Sequence, residues 1–372
     1  MQRRLVTNAL FAALLGVASA CIATAPPFRP ATVEHGKLHQ IGGLWVLELD
    51  GSPEQRGQAA GLLVGEQVRW LLPRYLKQVA GVDRPTAVQR RALAALTAKI
   101  PAAHLAQLRA LSRAAGVDAD TLLAANLAPE MAARLACSCL ATAPAASSDG
   151  KVRLARNLDW SGGDLLADVA VLVIESAEPH RLASFTWPGL VGVVTGMNDA
   201  GLSVADLMAF PGGRVHVQPG VPVLFAVRSM LEQADSVDSA LHWLEAAART
   251  LPQNYALADA AGVRVVETGP TRFRVRENQA GRTGITNFWD EDKGGQTDGR
   301  YDSMMGYREG DKLDSAHLQR MLERVALGRL NVQAVVLEPE ARVAFVARGK
   351  PPVAAGTWTR IDLAPWLAGA RK

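Results

Sequence analysis

Residues 137–160 read CSCLATAPAASSDGKVRLARNLDW, and this stretch decides the fold. Two partly apolar runs flank a segment of small residues that ends at Asp149-Gly150. An Asp-Gly pair in this setting is a strong signal for a β-hairpin, in which the second strand folds back along the first. We therefore expect Arg156 and Asp159 to lie beside Cys137.

This placement has a chemical consequence for the thiol of Cys137. A guanidinium near a thiol favours the thiolate, and a carboxylate can hold a neighbouring amine in place. The same two side chains, Arg156 and Asp159, would also fit an ordinary surface ion pair, worth ~0–1 kcal/mol. The residues alone leave both interpretations open.

The pattern is helical before the hairpin and mostly β-type after it. From about residue 53 to residue 135, apolar positions recur at helical spacing, and Ser52-Pro53 fits a helix start. Gly57, Gly61 and Gly65 lie four residues apart, a spacing that lets another backbone approach closely. After Cys137, short β-type runs alternate with turns, and helices are expected near 222–233, 237–249 and 315–327. This order predicts an α+β layered fold.

The first twenty residues have the features of an export signal. Arg3 and Arg4 precede an apolar run, and small residues lead up to Cys21. The run is shorter than the ~20 residues that a membrane span needs. The small residues before Cys21 resemble a bacterial lipobox, in which that cysteine carries lipid, and ordinary signal cleavage is the alternative. We therefore expect a bacterial periplasmic protein or an outer-membrane lipoprotein that contacts the membrane only through that lipid. Residues 21–42 are expected to form a flexible tether.

The composition and the absence of common motifs limit the kinds of partner and cofactor that we expect. Without Arg3 and Arg4 the charges are 38 basic against 36 acidic, from totals of 40 and 36, and no basic patch with interleaved aromatics exists. We therefore expect no nucleic-acid partner. The sequence lacks the HExxH, P-loop and GxSxG signatures, and its seven histidines do not pair at ligand spacing, so no metal or cofactor is expected. The composition does not set the oligomeric state.

The three cysteines raise a question about the unpaired thiols. Cys137 and Cys139 are too close in sequence to bridge without strain. If Cys21 carries lipid, no disulfide partner remains for either. An unpaired thiol in an exported protein is either a small buried hydrophobe or a reactive group.

The C-S-x-L run, the following D-G-K and the R-N-L-D-W segment together resemble a known group of enzymes. The group comprises choloylglycine hydrolase, acid ceramidase and penicillin acyltransferase, and the similarity is greatest to its bacterial peptidase C45-like branch, which resembles acyl-CoA:6-aminopenicillanic acid acyltransferase. Further similar segments lie at 48–61, 186–204, 284–287 and 299–301. The resemblance implies a four-layer αββα sandwich of the N-terminal-nucleophile (Ntn) hydrolase type, preceded by a mainly helical segment at 43–136.

The resemblance also implies a role for individual residues. Cys137 would be the nucleophile, exposed by autoproteolysis of the Ala136–Cys137 bond, with its own α-amino group as the base. The catalytic part would then be the fragment 137–372. The other matched positions are Arg156 and Asp159 beside the nucleophile, Asn198 as the oxyanion-stabilising asparagine, Asn287 as a second polar contact, and Arg300 as the late arginine of the family.

The implied reaction is hydrolysis, or acyl transfer, at the linear amide bond of a small N-acyl substrate. Cys139 is an alternative nucleophile, and Asn198 lies in a segment that also fits a simple hairpin turn. Two other functions stay open: an unprocessed thiol hydrolase with a distant histidine, and a non-catalytic, lipid-anchored binding protein of the same fold.

Overall fold

A computed structural model describes most of the chain: residues 24–131, 136–210, 216–276, 278–289, 298–306 and 311–368. The expected export signal and Cys21 lie outside the described residues, so the expectations about them stay predictions.

Two β-sheets form the centre of the described structure. The strands, labelled in chain order, make a ten-stranded and a six-stranded sheet. In spatial order the first contains β1 (Ala31–Val33), β2 (Gly36–Ile41), β3 (Leu44–Leu49), β6 (Val171–Glu175), β7 (Leu182–Thr186), β8 (Thr195–Asn198), β9 (Ser203–Met208), β10 (Gln253–Ala258), β11 (Val263–Thr268) and β12 (Phe273–Arg276). The second contains β13 (Arg282–Ile285), β4 (Ala136–Thr142), β5 (Arg153–Asp159), β14 (Asn331–Glu338), β15 (Val343–Arg348) and β16 (Thr357–Asp362).

Neighbouring strands in both sheets pair antiparallel, except for β3 and β6, which are parallel. The chain between β3 and β6 holds the helical segment and the β4–β5 hairpin. A parallel pair needs such a long crossover, because its strands cannot be joined by a tight turn.

Helices cover the outer faces of the two sheets. The helices are α1 (Pro53–Ala80), α2 (Ala87–Thr97), α3 (Ala102–Ala115), α4 (Ala119–Asn126), α5 (Ala128–Met131), α6 (Gly163–Ala167), α7 (Val223–Gln233), α8 (Val237–Ala246), α9 (Gly299–Met305), α10 (Ser315–Val325) and α11 (Ala364–Leu367). Helices α1, α7 and α8 pack on the ten-stranded sheet, and α9 and α10 pack on the six-stranded one. The sheets meet where β4 and β5 contact β9 and β10. The α+β fold expected from the sequence is confirmed.

Helix α1 begins and packs as its sequence predicts. Ser52 caps its N-terminus, accepting a hydrogen bond from the backbone N–H of Gln55 while the Gln55 side chain accepts from the Ser52 backbone. A Cβ atom at Gly57 would lie 2.2 Å from the backbone oxygen of Gln107 in α3. The small-residue face of α1 therefore lets the backbones of α1 and α3 pack directly against each other.

The expectation of a flexible tether at 21–42 is wrong for its second half. Residues 31–33 and 36–41 form β1 and β2, and β2 pairs along its whole length with β3. In these two strands only Leu38 is fully buried. An edge hairpin with so few buried side chains lacks the apolar alternation by which a strand is recognised in sequence.

Across the described residues, no helix has both the length and the apolar character required to cross a membrane.

Candidate active site

The β4–β5 hairpin holds Cys137 and Arg156 in the interior. The two strands pair antiparallel with Cys139 opposite Arg156, and Gly150 in the connection has a φ of +73°. Residues two apart on a strand share a face, so Cys137 and Cys139 lie on the face that carries Arg156. Cys137 is 2% exposed and Arg156 is fully buried, and both cysteines are free thiols.

The guanidinium of Arg156 connects the two sheets beside the thiol. Its Nη2 lies 3.5 Å from Cys137 Sγ and donates to the Asp206 carbonyl oxygen at 2.9 Å. Its Nη1 donates to Thr195 Oγ1 at 2.8 Å and to Gln333 Oε1 at 3.2 Å. The Asp206 carboxylate is 3.7 Å from Nη2. The cation is thus held in one position by partners on both sheets.

Burial governs the protonation of these groups. It raises the pKa of the Cys137 thiol to about 11, and the positive charge of Arg156 opposes this effect. Burial also raises the pKa of Cys139 to about 12 and that of Asp206 to about 6, with Arg156 again opposing. With a pKa of about 11, Cys137 is a neutral thiol near pH 7.

The backbone of Cys137 is held by two of the predicted site residues. Its N–H donates to Asn287 Oδ1 at 2.8 Å, and its carbonyl oxygen accepts from Arg300 Nη1 at 3.0 Å. Arg300 Nη2 also donates to Asn287 Oδ1, at 3.1 Å, and Asn287 Nδ2 donates to the Met208 carbonyl oxygen at 2.8 Å. The structure therefore brings Asn287 and Arg300 directly to Cys137.

Asp159 lies near the start of β4, on the opposite face of β5 from Arg156. The two residues are three apart on one strand, so their side chains leave on different faces. Asp159 Oδ1 accepts from Asn331 Nδ2 at 3.0 Å and from the Leu327 N–H at 3.2 Å, and Oδ2 is 3.8 Å from Arg300 Nη1. Burial raises the pKa of this carboxyl, and its hydrogen bonds and Arg300 oppose the rise. Asp159 thus contacts the cation that holds the Cys137 carbonyl, rather than the thiol.

Asn198 is not placed where the oxyanion role requires it. Its Nδ2 donates to the carbonyl oxygens of Leu231 at 2.9 Å and Ala234 at 2.7 Å, and its Oδ1 accepts from the Leu202 N–H at 2.9 Å. Thr195, three residues earlier on β8, is the residue whose side chain meets Arg156. Asn198 therefore faces α7 and fixes its last turn to the β8–β9 turn. The expected oxyanion role of Asn198 is corrected to a structural one.

Sequence reasoning missed three residues that contact Arg156. Asp206 had a visible signal, because it is the one charged residue in the otherwise apolar or small run 202–209. Thr195 and Gln333 carry no such signal, since each is an ordinary polar residue in a β-type run. Their role emerges only when the two sheets are stacked.

The histidines lie apart from the thiol. All seven are described, and none donates to or accepts from Cys137 Sγ. Five contact carboxylates: His35 with Asp50, His39 with Glu48, His104 with Glu232, His180 with Asp199 and His317 with Asp314. Within the described ranges, no group of three or more metal-ligating side chains occurs.

Comparison with known proteins supports the resemblance seen in the sequence. Residues 146–302 match the family model described as acyl-coenzyme A:6-aminopenicillanic acid acyl-transferase. This segment contains five of the six predicted site residues and starts after Cys137. The resemblance expected from the sequence is confirmed.

Curated relatives match at low identity. An uncharacterised protein of Archaeoglobus fulgidus is 24% identical over 278 residues, covering 65% of this chain and 46% of the relative. The protein dcd1B of Dictyostelium discoideum is 24% identical over 258 residues, covering 60% of this chain and 50% of the relative. The chain thus spans about half the length of these relatives.

Two solved structures are also similar. An N-acylethanolamine-hydrolyzing acid amidase ortholog from Caenorhabditis elegans matches with a TM-score of 0.44 and 21% identity, over 54% of this chain and 92% of that one. A mutant of the conjugated bile acid hydrolase from Clostridium perfringens matches with a TM-score of 0.44 and 14% identity, over 62% of this chain and 93% of that one.

Proposed function

We propose that this protein is a cysteine Ntn enzyme that hydrolyses the linear amide bond of an N-acyl substrate, or transfers its acyl group. One observation carries the proposal: Cys137 has a guanidinium 3.5 Å from its sulfur, while Asn287 and Arg300 hold its backbone N–H and carbonyl. A cysteine that merely fills a core does not need such contacts. The match to an acyl-transferase family model supports the same class of chemistry.

We further propose that the chain matures by cleavage between Ala136 and Cys137. In the precursor, Cys137 Sγ attacks the Ala136 carbonyl carbon, the acyl group shifts from nitrogen to sulfur, and water hydrolyses the resulting thioester. Asn287 Oδ1, which accepts the Cys137 N–H at 2.8 Å, is positioned to retain the new α-amino group. An α-amino group ordinarily titrates at about 7.7–8.0, so its neutral form can take the thiol proton near neutral pH.

The proposed reaction proceeds through an acyl-enzyme. Cys137 Sγ adds to the substrate carbonyl carbon while the α-amino group takes the thiol proton and passes it to the leaving amine. The C–N bond breaks, the amine departs, and the acyl group remains as a thioester. Water then releases an acid, or a second amine takes the acyl group. Arg156 favours the thiolate in each step that forms or regenerates it.

The unprocessed thiol hydrolase is less well supported. It requires a histidine that takes the proton of Cys137. Five of the seven histidines contact carboxylates elsewhere, and the other two, His216 and His242, are exposed. A base generated by cleavage needs no such partner, and this difference favours the processed form.

The test is the fragment pattern of the purified protein. Wild type is expected to give two fragments, the second of which begins at Cys137. Cys137→Ala should remain a single chain, and the matched control Cys139→Ala should give the same two fragments as wild type. A thiol-directed acyl probe should label residue 137, which a non-catalytic binding protein would not allow. A wild-type chain that stays intact, resists the probe and is inert toward N-acyl amides of varied chain length would refute the proposal.

We also propose that the protein is exported and carries lipid on Cys21. The support is the sequence of the first 21 residues. Mass spectrometry of the mature N-terminus tests it: a diacylated cysteine supports the lipoprotein, and an unmodified N-terminus after cleavage shows ordinary signal processing.

A further inference from the structure

A wide groove lies where β5 ends and β14 begins. Its volume is about 1020 Å³, and its wall combines the C-terminal half of α1 with the loop after β5 and the turn before β14. The described wall carries four basic and two acidic side chains: Arg74, Lys77, Arg329, Lys350, Asp164 and Asp168. Two ion pairs use both carboxylates, Arg329 with Asp164 at 2.8 Å and Lys350 with Asp168 at 2.9 Å. Four positive charges against two negative ones give these residues a net positive charge.

Exposed apolar side chains lie among these charges. Leu330, on the groove wall, is 44% exposed, and Leu327, three residues earlier, is 37% exposed. At an anionic lipid surface, the headgroup phosphates attract basic side chains while aliphatic ones enter the boundary layer between headgroups and acyl chains. A wholly polar polyanion would match the basic side chains and leave the leucines in water. The combination therefore favours a lipid surface.

The N-terminal part of the described chain begins on this same wall. Thr24 belongs to the groove, and Cys21 is only three residues earlier, a separation that an extended chain spans in at most ~11 Å. The residues just after Thr24 are held to α1, because Gln67 Nε2 donates to the carbonyl oxygens of Pro26 and Pro27 at 3.3 and 3.1 Å. A lipid on Cys21 would therefore enter the bilayer close to this groove.

We propose that the groove wall docks on an anionic membrane surface, with its basic side chains against the headgroup phosphates and Leu330 in the boundary layer. This orientation rests on the proposed lipid on Cys21. The lipid sets the point at which the protein meets the bilayer, and the charges of the wall set the face that it turns toward the headgroups.

The orientation has a consequence for the proposed reaction. A largely apolar cavity of about 360 Å³ between the two sheets shares Asp168 and Lys350 with the groove wall. Gln333 lies on the wall of that cavity, and its Oε1 accepts from Arg156 Nη1 at 3.2 Å. One guanidinium group thus separates this wall from the Cys137 thiol. Docking through the groove would bring a cavity suited to apolar chains next to the bilayer.

Lysine acetylation of the lipid-anchored chain tests the proposal. The protein is placed on vesicles of phosphatidylcholine, with or without phosphatidylglycerol, and the acetylation rate of each lysine is measured by peptide mass spectrometry. Lys77 and Lys350 are exposed on the groove wall and should react at least fivefold more slowly on the anionic vesicles. Lys151 and Lys312 are the internal control, because they lie at the β4–β5 connection, at the far end of that hairpin from Cys137. Their rates should agree within twofold on the two kinds of vesicle.

Charge reversal on the wall should remove the protection. Lys77→Glu combined with Arg329→Glu changes two exposed side chains of the groove, so Lys350 should react on anionic vesicles within twofold of its rate on neutral ones. Arg109→Glu combined with Arg320→Glu is the matched control, because it makes the same change at exposed positions outside the wall. The proposal is overturned if wild type shows no protection of the groove lysines, or if the two double variants behave alike.

The mass of the mature N-terminus tests the lipid separately. If Cys21 is unmodified, its thiol can be coupled to a maleimide phospholipid in a Cys137→Ala, Cys139→Ala chain, and the same rates are compared. Protection of the groove lysines in that chain supports the docking face and refutes only the natural anchor. Protection by soluble heparin, but not by anionic vesicles, would assign the groove to a soluble polyanion and overturn the proposal.

Discussion

Replacing Arg156 by methionine should suppress the reactivity of Cys137. The guanidinium nitrogen lies 3.5 Å from Sγ, where a unit charge at an effective dielectric constant near 20 favours the thiolate by about 4–5 kcal/mol. The Asp206 carboxylate, 3.7 Å from the same nitrogen, cancels part of that field. Removing the cation raises the thiol pKa further above about 11, so less thiolate exists at any pH below it. We expect the thiolate population at pH 8 to fall by roughly 10-fold to 1000-fold.

The assay is the rate of iodoacetamide alkylation at Cys137 between pH 7 and pH 10, in a Cys139→Ala background and with the modified peptide identified by mass spectrometry. Thr195→Val is the control, because it removes one hydrogen bond to the guanidinium and keeps the charge. Its alkylation rate should fall less than tenfold. An Arg156→Met chain that is folded by circular dichroism, yet is alkylated within twofold of the wild-type rate, would refute the electrostatic argument.

Four other substitutions test a buried ion-pair cluster and the two asparagines. Arg228→Met removes a guanidinium that contacts the buried carboxylates of Glu175 and Glu232 at 2.6 and 2.7 Å. Arg56 still contacts Glu175 and His104 still contacts Glu232, so the substitution should cost about 3 kcal/mol of folding free energy, visible as a lower Tm. Asn287→Ala should lower kcat for an N-acyl amide at least tenfold with a smaller change in KM, whereas Asn198→Ala should lower Tm and leave the activity per folded molecule near wild type. Burial raises the pKa of Glu232, but the charge of Arg228 outweighs this effect and holds the pKa at about 2, below the ordinary 4.5. The stability that this carboxylate contributes is therefore present above pH 4.5 and is lost as the pH falls toward 2. Glu232→Gln should flatten the decline of Tm over that interval.

Short sequence signals correctly predicted the elements whose formation depends on residues close together in the chain. The Asp149-Gly150 turn predicted the hairpin, and the Ser52 cap predicted the start of α1, because both depend on backbone geometry within a few residues. The β1–β2 hairpin was missed, since its side chains are mostly exposed and its stability comes from pairing with β3. That pairing is a property of the assembled sheet.

The same limit explains the errors at the site. A hairpin register brings Cys137 and Arg156 together within one sheet, so the sequence was sufficient for that pair. Thr195 and Asp206 reach Arg156 from the other sheet, and no pattern along the chain specifies which strands face each other across the stack.

Asn198 shows how a motif match can point to the wrong side chain. It lies three residues after Thr195, and an odd spacing on a strand turns the two side chains to opposite faces. Only one of the two side chains can contact Arg156. Thr195 does so, while Asn198 faces α7 on the other side of the sheet. The carbonyl groups of Leu231 and Ala234 at the end of α7 need donors, and the Asn198 amide supplies two. A residue so committed cannot also stabilise an oxyanion at Cys137.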